Sequence, residues 1–493
     1  MPKQAKLKQK KDAVSRKTRK RLLTIPFTAL FIKLFIIMRI EGFDWFSAGG
    51  NDLVQGITGL LDKNYTPAHI WYGADGENYL RGLVALVRDG FFSTDDKLSY
   101  WPAGYPLLML PLLLLLKGGF FFGLALLQSL LYAVGCAFFV DELRQSRLSK
   151  FAIPIALFLT FNPTLALNTI AIGYELPTVS LNLIAIAAMM RNFRQLKREA
   201  ISIELFISSF AFSLASLMQP RLLLIAFFSL LIWSLAKYRR IAGTLFLATS
   251  LLIVAIAPGI MIFRNSQANG FVAISTNLGT TMNIGAGPES TGGYTNKATG
   301  VQCPSLKGNA ATQDAARVKC VINWYLKNPT KTIKLAWNKS IYFWSPWFGP
   351  AANGTMARNP WRINHPFSET IKTESGFNLI YGTGGKFISW AWILTTIAML
   401  FYGFFILWQA GNFERYLSII ALSTVLLNWL ISLATIGDNR FRIPSMGMSL
   451  FLQVVGFTGL FIKKKRRFAG PNVIISWPGL HWKSPSRPDN LPS

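Results

Sequence analysis

The sequence predicts an all-α polytopic membrane protein of about 10–12 transmembrane helices, with a mixed loop region on the extracytoplasmic side. Three observations carry this. Apolar runs of spanning length recur along the chain. Of its 493 residues, 51% are hydrophobic and only 15% charged, which is too apolar for a water-soluble protein of this size. Positive charge is gathered into clusters that flank the runs rather than spread over a surface.

In chain order, residues 1–21 form a basic cytoplasmic N-terminus (MPKQAKLKQKKDAVSRKTRKR) with a single acid. Residues 22–263 form an N-terminal membrane module that includes an outer loop at 41–102. Long runs near 22–40, 119–140 and 241–263 and shorter ones near 103–117, 152–165, 176–190, 205–218 and 222–236 supply its helices. A large extracytoplasmic loop follows at 264–386. Runs near 387–409, 416–436 and 444–462 make the C-terminal transmembrane helices, and 463–493 is a cytoplasmic tail, Pro-rich and polar after Arg467. The basic stretches Arg191–Arg198, Lys237–Arg240 and Lys463–Arg467 join the N-terminus on the inner side. Placing both termini inside demands an even number of crossings, whereas the runs number eleven, so one short run between 103 and 236 is expected to be re-entrant or to merge with its neighbour. The side of 141–150 stays open. No small-residue cleavage site follows the first run, which argues against a signal peptide.

The formal charge of +29 is accordingly a topology and anionic-lipid signal rather than a nucleic-acid one. Cys136 falls in an apolar run and reads as inert core, while Cys303 and Cys320 share the large loop, where a disulfide is plausible. His69, His365 and His481 are too scattered for a zinc site. No tandem repeat and no pair of inverted halves is evident. Sequons at Asn64, Asn338 and Asn353 matter only if the host glycosylates exported protein. Lys33 and Arg39 read as snorkelling residues.

Between the apolar runs, residues 73–108 (GADGENYLRGLVALVRDGFFSTDDKLSYWPAGYPLL) are too rich in specific features to be a plain connector. Asp75 and Tyr79 are four apart and share a helix face. Arg81 and Arg88 follow, and Trp101-Pro102-Ala103-Gly104-Tyr105-Pro106 opens the next apolar run. In the large loop, Asn277–Gly300 reads as turns, and 312–342 shows helical spacing with Pro329 starting a second helix. The aromatics Tyr342, Phe343, Trp344, Trp347 and Phe348 suggest an interfacial belt, either anchoring the loop to the bilayer or lining a lipid groove.

These motifs, in this order, resemble the GT-C superfamily of polytopic glycosyltransferases. They are most similar to the branch of protein mannosyltransferases and lipid A aminoarabinose transferases (glycosyltransferase family 39-like). The family's acid-then-tyrosine in the first outer loop and its "PPGYPLL" phrase correspond to Asp75, Tyr79 and Trp101–Pro106. Its second acid corresponds to Glu175 after Tyr174, and its basic-Pro break, loosely, to Gln219-Pro220-Arg221. Its "RN" and "STN.G" phrases correspond to Arg264-Asn265 and Ser275–Gly279, and its "RYR.P" to Arg440-Phe441-Arg442-Ile443-Pro444. Two departures stand out. About thirty residues containing Asp44 and Asp52 precede Asp75, so either could be the family's acid, and Gln219 replaces a basic residue.

The resemblance implies transfer of a sugar from a polyprenyl-phosphate-linked donor to a glycan, lipid or protein acceptor on the extracytoplasmic face, with inversion. Asp75 and Glu175 are the catalytic candidates, since a carboxylate can take the acceptor's proton. Tyr79, Arg81, Tyr105, Arg264, Arg440 and Arg442 are the candidate substrate contacts, the arginines for phosphate. For each a plainer role competes. Asp75 could serve the helix dipole, Glu175 could be a solvated residue between spans, Arg440 and Arg442 could be snorkelling anchors, Arg264-Asn265 a cap, and the two tyrosines packing. Two acids could also hold a divalent metal, which nothing in the sequence requires. Membrane lipids are the other expected partner. Competing functions are a flippase for a lipid-linked glycan, which would line its spans with charge, and a non-enzymatic envelope assembly protein, which would not need acids and arginines on one face.

Overall fold

The computed structural model of the chain describes residues 23–31, 75–117, 120–169, 172–195, 200–238, 240–293, 300–304, 307–345 and 383–462. Expectations placed on Lys33, Arg39, Asp44, Asp52, Asn64, His69, Trp347, Phe348, Asn353, His365, His481 and the two basic termini lie outside these residues. The described residues are helical with no β-strand, apart from an isolated bridge between Gly293 and Gly437. The protein is therefore an all-α membrane protein, as the apolar runs predict.

After a helix at 23–31 (α1) come α2 (Asp75–Asp89), α3 (Gly104–Leu116), α4 (Phe120–Arg144), α5 (Ala152–Phe161), α6 (Pro163–Asn168), α7 (Glu175–Arg194), α8 (Ile203–Met218), α9 (Leu222–Lys237) and α10 (Arg240–Asn269). The segment after α10 holds α11 (Leu278–Ile284), α12 (Ala310–Lys327) and α13 (Pro329–Trp344). The chain then returns through α14 (Thr383–Ala410), α15 (Asn412–Ala434), a 3₁₀ turn (Asn439–Ser445) and α16 (Met446–Phe461). Six of these segments are long and apolar enough to cross a membrane, and α3, α5, α8 and α9 are shorter apolar helices.

Among the short apolar helices, α3 falls short of a full crossing. Helix α3 has 13 residues, about 20 Å of rise against a hydrocarbon core of about 30 Å. Its Leu116 end packs on Gly123 and its Tyr105 end hydrogen-bonds to Gln128, so both ends lie beside the first turns of α4 and it does not reach that helix's far end. Helices α5 and α6, separated by the extended residue Asn162, run antiparallel to α4 as one broken passage: Tyr132 donates to the Leu159 carbonyl and Gln128 to that of Thr169.

Helix α7 is the axis of the bundle, buried almost throughout, with α4 and α8 packed along it. Its sequence explains why: Thr178, Ser180, Ala185, Ala187 and Ala188 let neighbours approach, and Asn182 donates to the Pro444 carbonyl at 3.2 Å. Between α14 and α16, Gly403 and Gly456 face each other's backbones, where any added Cβ would lie about 2 Å from a carbonyl oxygen. At the end of the bundle that carries Glu175, α11 to α13 form a small cap. Cys303 and Cys320 are joined in a disulfide there, and buried Asp314 accepts from the Gly279 amide at 2.7 Å. Cys136 is buried in the core.

Candidate active site

Glu175 opens α7. Buried beneath α4, α8 and the 3₁₀ turn, its carboxylate is taken out of water, which demands a partner. That partner comes from 265 residues away: Nε of Arg440 donates to Oε1 of Glu175 at 2.6 Å, with both side chains buried. Asp438 builds the turn that presents Arg440. Its side chain caps the 3₁₀ segment by accepting from the Arg440 amide at 2.9 Å, while Asn428 of α15 donates to the Phe441 carbonyl and, at 3.2 Å, to Ser445 Oγ. The second oxygen of Glu175 accepts no hydrogen bond among the described residues.

A second guanidinium adjoins the first. Arg221, at the entrance to α9, lies over the Phe441 ring at 4.6 Å, and Arg440 approaches the same ring at 5.6 Å and the Tyr174 ring at 5.8 Å. The Nε and Nη2 atoms of Arg221 are buried and have no hydrogen-bond partner among the described residues. Burial pulls this guanidinium below its ordinary pKa, and the neighbouring Arg440 adds to the effect, while Tyr174, Glu175 and Tyr79 oppose it. Two buried cations thus face one carboxylate, an arrangement that favours an anion. Gln219, two residues before Arg221 in the turn between α8 and α9, donates to the Tyr174 hydroxyl at 2.7 Å and fixes that ring.

Tyr79 and Tyr105 are packed behind this group. The Tyr79 ring meets those of Trp101, Tyr105 and Tyr174 edge-on, with centroids 5.2 to 6.2 Å apart. The Tyr105 hydroxyl donates to Gln128 at 3.1 Å. Asp75 is the first residue of α2, one turn from Tyr79, and the adjoining Gly76 packs on Ile172, three residues before Glu175. Its backbone therefore lies at the site, and its side chain is outside the described residues. Arg81 is half-buried, two positions past Tyr79 and so on the opposite face of α2.

Two expected contacts stand elsewhere. Arg264 is fully buried and donates to the carbonyls of Phe91, Ser93 and Leu98 and to Asn265 Oδ1, while Asn265 donates to the carbonyls of Ala273 and Ile274. Its hydrogen bonds serve the loop after α2 rather than a phosphate, because these carbonyls are buried and need donors. Arg442 is two residues past Arg440 on a turn with three residues per revolution, so it projects away, 6.0 Å from the Trp344 ring of the cap. Conversely, sequence reasoning weighed Gln219 in the basic-Pro slot and passed over Arg221 two residues on. The signal was a cation beside a proline at the mouth of an apolar run. Among the described residues no group of three or more metal-ligating side chains occurs.

Neither family models nor curated proteins match the chain. Among solved structures it is similar to the apo crystal structure of the Archaeoglobus fulgidus oligosaccharyltransferase, with 12% identity and a TM-score of 0.46. The alignment covers 89% of this chain and 50% of that one, so the chain spans about half the length of that protein.

Proposed function

We propose that the protein is an integral membrane glycosyltransferase that moves a sugar from a polyprenyl-phosphate donor to a glycan, lipid or protein acceptor on the extracytoplasmic face. The observation that carries this reading is the pair of guanidiniums of Arg221 and Arg440 on one aromatic ring, the first with two buried nitrogens unpartnered. Two buried cations beside a single carboxylate are costly, and a phosphate ester that arrives with its lipid in the bilayer supplies the missing charge. In the reaction, the acceptor hydroxyl oxygen attacks the anomeric carbon and the bond from that carbon to the phosphate oxygen breaks. The lipid phosphate leaves with the electron pair, and the hydroxyl proton passes to a carboxylate. Asp75 is assigned as that base. Glu175, bound to Arg440, holds the guanidinium where charge develops on the leaving phosphate.

The test is sugar transfer in membranes carrying wild type, Asp75→Asn, Glu175→Gln or Arg221→Gln, with radiolabelled polyprenyl-phosphate sugars and native envelope acceptors. Label should enter the acceptor with wild type and vanish with Asp75→Asn at matched protein levels. Retained activity in Asp75→Asn would move the base to Asp44 or Asp52. No transfer from any donor, together with labelled donor crossing the bilayer, would overturn the enzyme reading in favour of transport.

A further inference from the structure

Helix α13 buries one face against α15 and the 3₁₀ turn and leaves an apolar stripe exposed on another. Leu335, Lys339 and Phe343, spaced by four, are buried toward the end of α15 and the 3₁₀ turn. Ile333, Trp337 and Ile341 lie two positions before each of them, about 200° round the helix, and are 71%, 68% and 40% exposed. The depth of this exposed stripe can be read from its neighbours. Trp429 of α15 donates to Ser340 Oγ at 3.2 Å and meets the Trp344 ring edge-on at 6.3 Å. Trp429 lies five residues before Ala434, the last residue of the candidate span Phe413–Ala434, or about 8 Å short of its end. The C-terminal half of α13 is thus level with the last turns of a membrane helix whose neighbouring residue Leu430 is 54% exposed to the surrounding phase. Exposed Lys331 and Lys334 flank the stripe.

We propose that α13 is an interfacial helix, with Ile333, Trp337 and Ile341 inserted into the phospholipid leaflet on the side of the active site and Lys331 and Lys334 at its phosphates. A tryptophan amid aliphatic residues with lysines at the margin suits the boundary between acyl chains and head groups. The stripe continues the lipid-facing surface of α15 sideways, so the occupant is bulk phospholipid. The helix also touches the turn that presents Arg440, which places the active site at that leaflet's surface rather than above it. This inference stands on the depth of α13 and does not depend on the chemistry proposed for the site.

The experiment uses the full chain in nanodiscs of neutral and anionic phospholipid, with a nitroxide attached in turn to Trp337→Cys, Ile333→Cys and, as a reference, Ala315→Cys on exposed α12. The native disulfide stays intact and Cys136 is buried. Collision with oxygen, relative to collision with a water-soluble nickel chelate, should be severalfold higher at 333 and 337 than at 315. A ratio at both positions no higher than at 315 would overturn the proposal. Low collision with both reagents would overturn it too, showing that protein covers the stripe, and a dependence on protein concentration would identify a second copy. Having two positions keeps the test open if either substitution impairs folding.

Discussion

The two ends of α7 handle buried charge differently. At the end away from Glu175, four acids meet four arginines. Asp141 pairs with Arg144 at 3.2 Å, Glu142 with Arg194, Glu204 with Arg191 at 3.8 Å and Glu414 with Arg147 at 3.9 Å. Lys237 is held by the backbone carbonyl of Asn192 and by its side chain. At the other end, Glu175 answers Arg440, and among the described residues no hydrogen-bond partner meets the buried Nε and Nη2 of Arg221. Matched charges hold helices in register, whereas an unmatched cation is a stability cost that a ligand can offset. Activity should therefore be sensitive at one end and stability at the other.

Arg440→Gln gives the largest expected effect on transfer: a fall of roughly 10²–10³-fold in kcat, the scale for losing a group that stabilises developing charge. It also strands the Glu175 carboxylate. Adding Glu175→Gln should restore the thermal midpoint without restoring transfer. Recovery of both would reduce the pair to a structural latch and erase the contrast between the two ends. At the far end, Arg194→Gln leaves Glu142 unpaired in a buried position and should cost about 3 kcal/mol of stability. The donor KM of the folded fraction should not move, and a severalfold rise would break the comparison from the other side.

How much of this was legible in the sequence depends on the range of the interaction. Apolar run length is local, and each run of the sequence that falls within the described residues forms a helix there, the run at 152–165 being broken at Asn162. Length alone could not show that α3 stops beside the first turns of α4, because that is decided by where Gln128 and Gly123 lie. The pairing of Glu175 with Arg440 was within reach only as two motifs on one face. The fate of Arg264 was not, since its carbonyl partners lie 166 to 173 residues away. The aromatic run at Tyr342–Trp344 suggested an interfacial belt, yet Phe343 is fully buried and Trp344 packs on Trp429. The exposed stripe one and two turns earlier shares its spacing and differs only in what stands opposite.

Arg221→Gln sharpens the comparison with a smaller effect. Removing an unpartnered buried guanidinium should leave the thermal midpoint unchanged or raise it, because no protein hydrogen bond of Nε or Nη2 is lost. Donor KM should rise about tenfold, the worth of one charge-assisted contact of about 1.4 kcal/mol. Midpoint and KM measured on one preparation decide it. A fall in midpoint with unchanged KM would make Arg221 a structural residue like those at the far end.

Lys339 tests whether the cap obeys the logic of matched or of unmatched charge, and its expected effect is the smallest. This fully buried lysine of α13 donates to the Tyr325 hydroxyl and to the carbonyls of Leu433 and Thr435 at 2.7 to 2.9 Å, with no carboxylate beside it among the described residues. Gly437 packs so tightly on it that an added Cβ would lie 2.6 Å from the Lys339 Cα, two residues before the Arg440 turn begins. Burial pushes the amine down from 10.5 to about 7. Between those values the unfolded chain binds a proton that the folded chain does not, so this group makes stability rise with pH from about 7 to 10.5. Below about 7 both states are protonated and its contribution is flat, with the burial cost fully expressed. Thermal midpoints across that window should climb in wild type and climb less in Lys339→Met. Equal slopes would mean that the protonated amine is held by its three acceptors at no cost, and that the cap is latched by hydrogen bonds as firmly as the far end is by ion pairs.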